Sequence, residues 1–140
     1  MTDVHSKEVR SYNMSRIKGK NTKPEMLVRK FLHKNGFRYR LHVKDLPGKP
    51  DIVLPKYKTV IFVHGCFWHG HEGCAKATLP TTRREWWEAK INGNIRNDDN
   101  AITALKAAGW NVIVVWQCDI SKKQLQFTLE NLLVSITNNR

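Results

Sequence analysis

The sequence predicts a single mixed α/β domain in which a central sheet is flanked by helices. The chain has 140 residues, which is the length of one ordinary domain. Hydrophobic residues make up 41% of it, enough to bury a core without help from disulfides. Helical and strand-like apolar patterns alternate in the order α-β-β-β-α-β-α, with no internal repeat or linker. We therefore expect one domain over residues 1–140.

The first helix is predicted just after a basic N-terminal segment. Residues 1–20 form that segment, in which Met14 and Ile17 lie one turn apart if it is helical. Residues 22–25 (Thr-Lys-Pro-Glu) have the pattern of a capping box with proline in the first turn. Apolar residues follow at helical spacing until the stop signal at residues 35–36 (Asn-Gly).

Three strands are predicted next. Residues 37–43 alternate apolar and basic side chains, the pattern of a half-buried strand with a basic outer face. Residues 51–54 and 59–63 are short apolar runs. A loop rich in Cys, His and Gly covers residues 64–80.

The second half of the chain predicts a helix, a strand and a helix. Residues 82–85 (Thr-Arg-Arg-Glu) form a second capping-box pattern, opening a helix to Gly109 that residues 92–94 would interrupt. Residues 110–116 form the most continuous apolar run and are expected at the centre of the sheet. Ser121 is expected to cap the last amphipathic helix.

The charge of the chain favours a polyanionic partner. Lys and Arg total 24 against 12 Asp and Glu, a net charge of +12, and residues 1–50 hold 13 of the basic and 4 of the acidic residues. Such an excess is typical of nucleic-acid binding, because neutralised phosphates release counterions; the alternative is a basic surface that serves solubility. No apolar run reaches the roughly 18 residues of a membrane span, and residues 1–10 lack a signal core. We expect a cytoplasmic protein without membrane contact.

The loop and one later cysteine suggest a zinc site. Cys66, His71 and Cys74 are separated by glycines that permit tight turns, and Cys118 follows the last predicted strand. Together they would make a closed Cys₃His site, structural because no position stays open. The alternatives are a buried apolar thiol at Cys118 and incidental histidines in the loop. We favour zinc, because it leaves no cysteine unassigned.

Three further residues are candidates for chemistry. His64 and His69 flank the zinc loop and could serve as acid or base, although a lone histidine is usually a polar surface residue. Asp51 opens a strand in a very basic chain and could hold Mg²⁺. From the dipeptide Pro50-Asp51 alone, ordinary turn chemistry is the better interpretation.

The sequence resembles the PD-(D/E)xK nucleases, and specifically the very short patch repair (Vsr) endonucleases, over essentially the whole chain. The matching residues are Asn13, Met14, Ile17, Leu46 to Asp51, Val60 to His69, Gly109, Trp110, Val114 to Trp116 and Cys118. The run Val60 to His69 is the most specific of them. The resemblance implies a restriction-endonuclease-like fold and a Mg²⁺-dependent DNA endonuclease.

The resemblance also implies a set of catalytic residues. It places Mg²⁺ on Asp51 and on the main-chain carbonyl of Val63, with His64 and His69 polarising the metal-bound waters. The full set of side chains implied in catalysis is Asp51, His64, His69, Glu25 and Asp98, where Asp98 orients His69 and Glu25 reaches the same centre.

The chain departs from the general nuclease pattern. His64 stands where the acid and lysine of (D/E)xK are expected, a replacement typical of Vsr-like proteins. Residues 88–90 (Glu-Ala-Lys) fit the letters but lie on a predicted helix, so we regard them as a chance match. Val63 replaces the Thr of some members, and Cys74 is matched by its role because the loop varies in length.

Aromatic residues suggest how a mismatch could be read. The resemblance places Phe67, Trp68 and Trp87 in a wedge between base pairs, with Met14 and Ile17 of the N-terminal segment on the DNA. Mismatched steps unstack more easily, so a wedge can discriminate by deformability. The alternative is that the rings pack the zinc loop onto the long helix, which we prefer for Trp86. Lys90 and Asn94 match positions that contact the mismatched pair.

The implied activity is a nick on the 5′ side of T in T:G mismatches, which arise when 5-methylcytosine deaminates. A DNA cytosine methyltransferase and a repair polymerase would be functional partners, and the enzyme would act as a monomer at the nucleoid. One alternative is a restriction-like or other nicking endonuclease that cuts matched DNA. Another is a non-catalytic zinc-stapled DNA-binding module, which would have no use for Asp51, His64 and His69.

Overall fold

The computed structural model describes residues 22–121 and 123–138. The helices are α1 (Lys23–Lys34), α2 (Arg84–Ala107) and α3 (Leu125–Thr137), and the strands are β1 (Arg40–Leu41), β2 (Ile52–Leu54), β3 (Thr59–His64) and β4 (Asn111–Trp116). Met14, Ile17 and the rest of the basic segment at residues 1–20 lie outside the described residues. The predicted element order is confirmed.

The four strands form one sheet in the order β1-β2-β3-β4. β2 pairs antiparallel with β1 and β3, whereas β3 pairs parallel with β4. The connection between the two parallel strands runs through α2, as parallel pairing requires a long crossover. The fold is therefore a mixed α/β sheet flanked by helices, as the sequence predicts.

Alternation along β2 and β3 divides the core between the two faces of the sheet. On one face, Ile52, Leu54 and Ile61 are buried against apolar side chains of α1 and α3. On the other face, Val53, Val60 and Phe62 are buried with Leu105 of α2. In the described residues no helix is long and apolar enough to cross a membrane.

One of the three predicted helix caps is present. The Thr22 hydroxyl accepts a hydrogen bond from the Glu25 N–H at the start of α1, at 3.5 Å. The cap predicted at Thr82 is wrong: α2 begins one residue later, after Arg83 in a left-handed conformation with φ of 56°, and no side chain caps it. Ser121 does not cap α3 with its side chain either, because a turn intervenes and its carbonyl accepts from the Leu125 N–H.

Three further expectations about the elements are corrected. The strand predicted at residues 37–43 is reduced to the two residues of β1, since His42 turns into a left-handed conformation with φ of 50°. The run at residues 110–116 borders the described sheet, and the more deeply buried β3 is central. Residues 92–94 do not interrupt α2, because a single Gly93 costs a helix only about 1 kcal/mol.

Gly48 allows the turn before β2 to lie directly on α2. Its φ is +72°, and a Cβ built on it would lie 2.7 Å from the Cβ of Ala101. Any side chain would push the turn away from the helix. This close packing fixes the chain three residues before Asp51.

Candidate active site and cysteine cluster

Asp51 lies at the start of β2, where its carboxylate reaches across to β3. The Val63 N–H donates a hydrogen bond to Asp51 Oδ2 at 2.7 Å. Burial, more strongly than the nearby charge of Glu25, raises the pKa of Asp51 to about 6, although the bond from Val63 opposes the shift. A carboxylate held this far from water is costly to ionise without a nearby positive charge.

Glu25 and His42 lie beside Asp51. Each of the three residues offers a ligand atom within 4.8 Å of the others. Glu25 is buried on the first turn of α1, and its Oε2 contacts His42 Nε2 at 3.0 Å and Arg29 Nη1 at 3.3 Å. The expectation that Glu25 reaches the centre of Asp51 agrees with this geometry.

Sequence reasoning missed His42. The alternating pattern placed it on the basic outer face of a strand, yet the structure turns it inward. Its side chain is 16% exposed. Around His42 the sequence shows only a histidine a few residues before a Pro-Gly turn. This pattern is too common in proteins to predict a functional site.

The second cluster joins His64 at the end of β3 to His69 in the following loop. Their imidazole rings stack with centroids 3.8 Å apart and planes 3° from parallel. His69 Nδ1 contacts Asp98 Oδ2 of α2 at 2.6 Å. The predicted trio of His64, His69 and Asp98 is therefore brought together, and the charge of His69 acts on Asp51 as well.

His64 is a buried imidazole, which favours its neutral form. Burial, followed by the charge of His69, lowers the pKa of His64 to about 4. Within the described residues, its Nδ1 is a buried polar atom without a hydrogen-bond partner. A buried nitrogen of this kind needs a hydrogen-bond partner, or a cation if it carries no proton.

The third cluster contains the four predicted ligands Cys66, His71, Cys74 and Cys118. Their ligand atoms all lie within 4.8 Å of one another. Cys118 Sγ is 3.3 Å from His71 Nδ1, and the Cys118 N–H donates to Cys66 Sγ at 3.4 Å. Burial and the neighbouring Cys66 raise the pKa of the Cys118 thiol to about 12. Thiols this close cannot all ionise without a cation among them, so the cluster can hold a metal ion.

Trp116 lies between the cysteine cluster and the imidazole pair. Its ring stacks on His71 with centroids 4.0 Å apart and planes 8° from parallel. The same ring meets His64 edge-on at 5.2 Å, and Trp116 is the register partner of His64 in the sheet. The two clusters are therefore in contact through one side chain.

The residues predicted as a wedge form one aromatic cluster. The centroid of Phe67 lies 5.2 Å from those of Trp68 and Trp87, which are 5.8 Å apart. The side-chain N–H of Asn94 donates to the Trp68 carbonyl at 2.8 Å, so α2, which carries Trp87, also holds the loop that carries Phe67 and Trp68. Lys90 lies exposed one turn earlier on α2.

Trp86 does not pack the loop onto α2, so the preference stated for it is wrong. It is 48% exposed. Its ring contacts Trp87 edge-on at 4.8 Å, and the Arg83 guanidinium lies 4.9 Å from its centroid. It extends the aromatic cluster towards solvent.

The sequence has clear relatives among DNA-cleaving enzymes. It is 52% identical over 134 residues to the type II nicking enzyme V.XorIIP of Xanthomonas oryzae pv. oryzae, covering 95% of this chain and 98% of that protein. It is 50% identical over 125 residues to the type II nicking enzyme V.NmeAIP of Neisseria meningitidis, covering 89% of each.

A mismatch endonuclease is also among the relatives. The chain is 40% identical over 124 residues to the DNA mismatch endonuclease Vsr of Escherichia coli K12, covering 89% of this chain and 79% of that protein. The family model described as DNA mismatch endonuclease Vsr matches residues 2–76, just over half of the chain. With the carboxylate, imidazole and cysteine clusters in place, these matches establish that the chain is a DNA endonuclease and belongs to the Vsr family.

Proposed function

We propose that this protein nicks one strand of duplex DNA on the 5′ side of T in a T:G mismatch, with Mg²⁺ at Asp51 and a structural zinc at the cysteine cluster. The observation that carries the proposal is the bond from the Val63 N–H to Asp51. It places the buried carboxylate one residue from His64, which stacks on a His69 that Asp98 holds. The restriction-endonuclease-like fold implied by the resemblance is compatible with the mixed sheet.

The donor set fits Mg²⁺. Asp51 and Glu25 are two carboxylates whose ligand atoms lie within 4.8 Å, and burial, followed by the charge of Glu25, raises the pKa of Asp51. Oxygen ligands of this kind are those that Mg²⁺ prefers. Asp51 and the Val63 carbonyl would hold the ion. When bound, it would supply an activated water and neutralise charge at the scissile phosphate.

The imidazoles supply proton transfer. Since an ionised carboxylate only accepts, the contact with Asp98 fixes the proton of His69 on Nδ1 and leaves Nε2 able to take a proton. His64, with its pKa lowered to about 4, is neutral near pH 7. Beside a carboxylate centre, the imidazoles of His64 and His69 can accept a proton from water and return one to the leaving oxygen.

Zinc is the metal that the cysteine cluster fits best. Three sulfurs and one imidazole nitrogen match a closed tetrahedral site, with no position left for substrate. We infer that zinc stabilises the loop that carries His69, Phe67 and Trp68. Its contribution would be to the fold rather than to the chemical step.

The aromatic cluster supports recognition by deformability. Phe67, Trp68 and Trp87 are half-buried against each other, so their rings form a stiff group at the surface beside the basic residues of α2. Inserting such a group costs less at a mismatched step than at a matched one. Lys90 and Asn94 would contact the mismatched pair, and Met14 and Ile17 would reach the DNA from the N-terminal segment.

The second candidate is a nicking enzyme that cuts matched DNA, because the two relatives at 50% identity or more are named type II nicking enzymes. Under our proposal, T:G substrates arise from deaminated 5-methylcytosine. A DNA cytosine methyltransferase and a repair polymerase are then functional partners, and the enzyme acts as a monomer at the nucleoid in the cytoplasm.

The test is strand-specific cleavage of end-labelled duplexes that contain T:G or T:A at the same position in several sequence contexts. We expect a Mg²⁺-dependent nick 5′ of T in the T:G duplexes and little cleavage of the T:A duplexes. Asp51→Ala should lower the rate by about 100-fold or more, as loss of a key electrostatic group does, and Asp45→Ala at an exposed turn is the matched control. Equal cleavage of T:G and T:A would favour the second candidate.

A further inference from the structure

We propose that His42 is a positioning residue for this active site, holding the Glu25 carboxylate beside Asp51. The inference rests on the proposed function, since it gives His42 a part in the same metal-dependent centre. Neither the resemblance nor the relatives assign a role to this residue. The inference is supported by contacts of both the side chain and the main chain of His42.

His42 connects the first turn of α1 to the start of β2. Its Nε2 contacts Glu25 Oε2 of α1 at 3.0 Å. Its main-chain N–H donates to the Asp51 carbonyl at 3.0 Å. One residue therefore contacts both carboxylate-bearing residues, and the ring must donate because an ionised carboxylate only accepts.

The contact of Arg29 with Glu25 differs from that of His42. It contacts the same Glu25 oxygen at 3.3 Å, but it lies on the same helix, one turn further along. The bond between Arg29 and Glu25 lies within α1 and does not itself connect the helix to β2. His42 lies on the segment that pairs with the start of β2, so its bond to Glu25 connects α1 to the residue that carries the Asp51 carboxylate.

The backbone of His42 has a left-handed conformation with φ of 50°. Glycine adopts this conformation most easily, and Asn, Asp and His do so more often than other residues. A glycine at this position would therefore keep the turn, but it could not contact Glu25 as the imidazole does.

The left-handed backbone gives a sharp test. His42→Gly removes the imidazole but suits the left-handed backbone, which offsets part of the lost contact with Glu25, so the variant should still unfold cooperatively on heating. Lys58→Gly is the matched control, because Lys58 has φ of 49° and lies outside the site. His42→Gln retains a side-chain N–H that can donate to Glu25 and should rescue function.

Two measurements separate positioning from general structure. We expect His42→Gly to lower kcat for T:G duplex by about tenfold or more, with KM for DNA changed by less than about twofold, since residues in contact couple on this scale. Binding of Mn²⁺ to the complex with nicked product duplex, followed by electron paramagnetic resonance, should weaken in parallel. Adding His42→Gly to Glu25→Ala should have little further effect.

Wild-type nicking and Mn²⁺ binding in a folded His42→Gly variant would overturn the inference. So would an additive loss in the double variant, because His42 would then act independently of Glu25. Failure of the wild type to nick any duplex would sink the proposed function instead, and the effect of His42→Gly on Mn²⁺ binding would still decide the positioning role.

Discussion

Replacing Asp51 by asparagine should stabilise the protein in the absence of Mg²⁺ while it abolishes nicking. The pKa of Asp51 is raised in the folded state from 3.8 to about 6, so folding favours the protonated carboxyl. Above pH 6 the folded protein carries the full cost of the ionised group, and below pH 3.8 it carries none. A shift of roughly two pKa units corresponds to about 3 kcal/mol.

Asparagine removes that cost and retains the bond at this position. It is neutral and nearly isosteric with aspartate, and its amide oxygen can accept from the Val63 N–H as Asp51 Oδ2 does. We therefore expect the free energy of unfolding of Asp51→Asn at pH 7.5 to exceed that of the wild type by up to about 3 kcal/mol. The difference should shrink as the pH is lowered from 6 towards 4.

Urea unfolding, with linear extrapolation to water, measures this difference. The buffer should contain neither Mg²⁺ nor a chelator, so that the zinc proposed at the cysteine cluster is not removed. Asp45→Asn, at an exposed turn, is the control and should be neutral. An Asp51→Asn variant that is less stable than the wild type at pH 7.5 would refute the claim that this carboxylate is held at a cost.

Four further outcomes are expected. Purified protein should contain one zinc per chain by elemental analysis, and Cys118→Ser should lower the unfolding midpoint rather than slow nicking alone; a folded, active, zinc-free protein would contradict this. Trp68→Ala should weaken binding to T:G duplex by about 5- to 150-fold, which is the contribution of one aromatic ring stacked on a base. Binding to matched duplex should weaken much less. Asp98→Asn should slow nicking by about 10-fold or more through loss of an orienting carboxylate, whereas exposed Asp99→Asn should not. Gly70→Ala should destabilise the loop by about 1–3 kcal/mol in urea unfolding, because a Cβ there would lie 2.7 Å from Ile95 of α2; an unchanged midpoint would argue against this packing.

The sheet and the ligands of the cysteine cluster were predictable because their signals are local. Alternation within β2 and β3 assigns Val53 and Phe62 to one face and Ile61 to the other, as observed. Three cysteines and one histidine suffice to predict a closed site, since few other arrangements use every cysteine. Apolar periodicity can be read from a few neighbouring residues, and cysteine and histidine are recognisable as metal ligands by residue type alone.

The position of residues within the sheet was less predictable. Residues 110–116 are apolar because side chains of the helices pack on both faces of β4. A strand at the centre of a sheet has the same apolar sequence, so the sequence does not distinguish the two positions. Thr82 and Ser121 match helix-cap patterns, but a cap forms only if the helix begins at the next residue. That start is set by tertiary packing, which the local sequence does not encode.

The contacts of the site lie beyond local reasoning altogether. His42 is 17 residues from Glu25 along the chain, and Asp98 is 29 residues from His69. No periodicity joins residues at such separations. The resemblance to a family supplied Asp98, whereas His42 became visible only through the left-handed turn that directs it inward.

The unbroken course of α2 has a consequence for where the DNA is cut. Trp87 of the proposed wedge and Asp98, which orients His69, lie on the same helix, about 16 Å apart at 1.5 Å per residue. Under the proposed function, the helix would fix the distance between the wedge and the catalytic centre. One residue inserted between them would rotate Asp98 by about 100° relative to Trp87. The distance between the proposed wedge and the proposed cleavage site would then depend on the length of α2 rather than on the length of the loops.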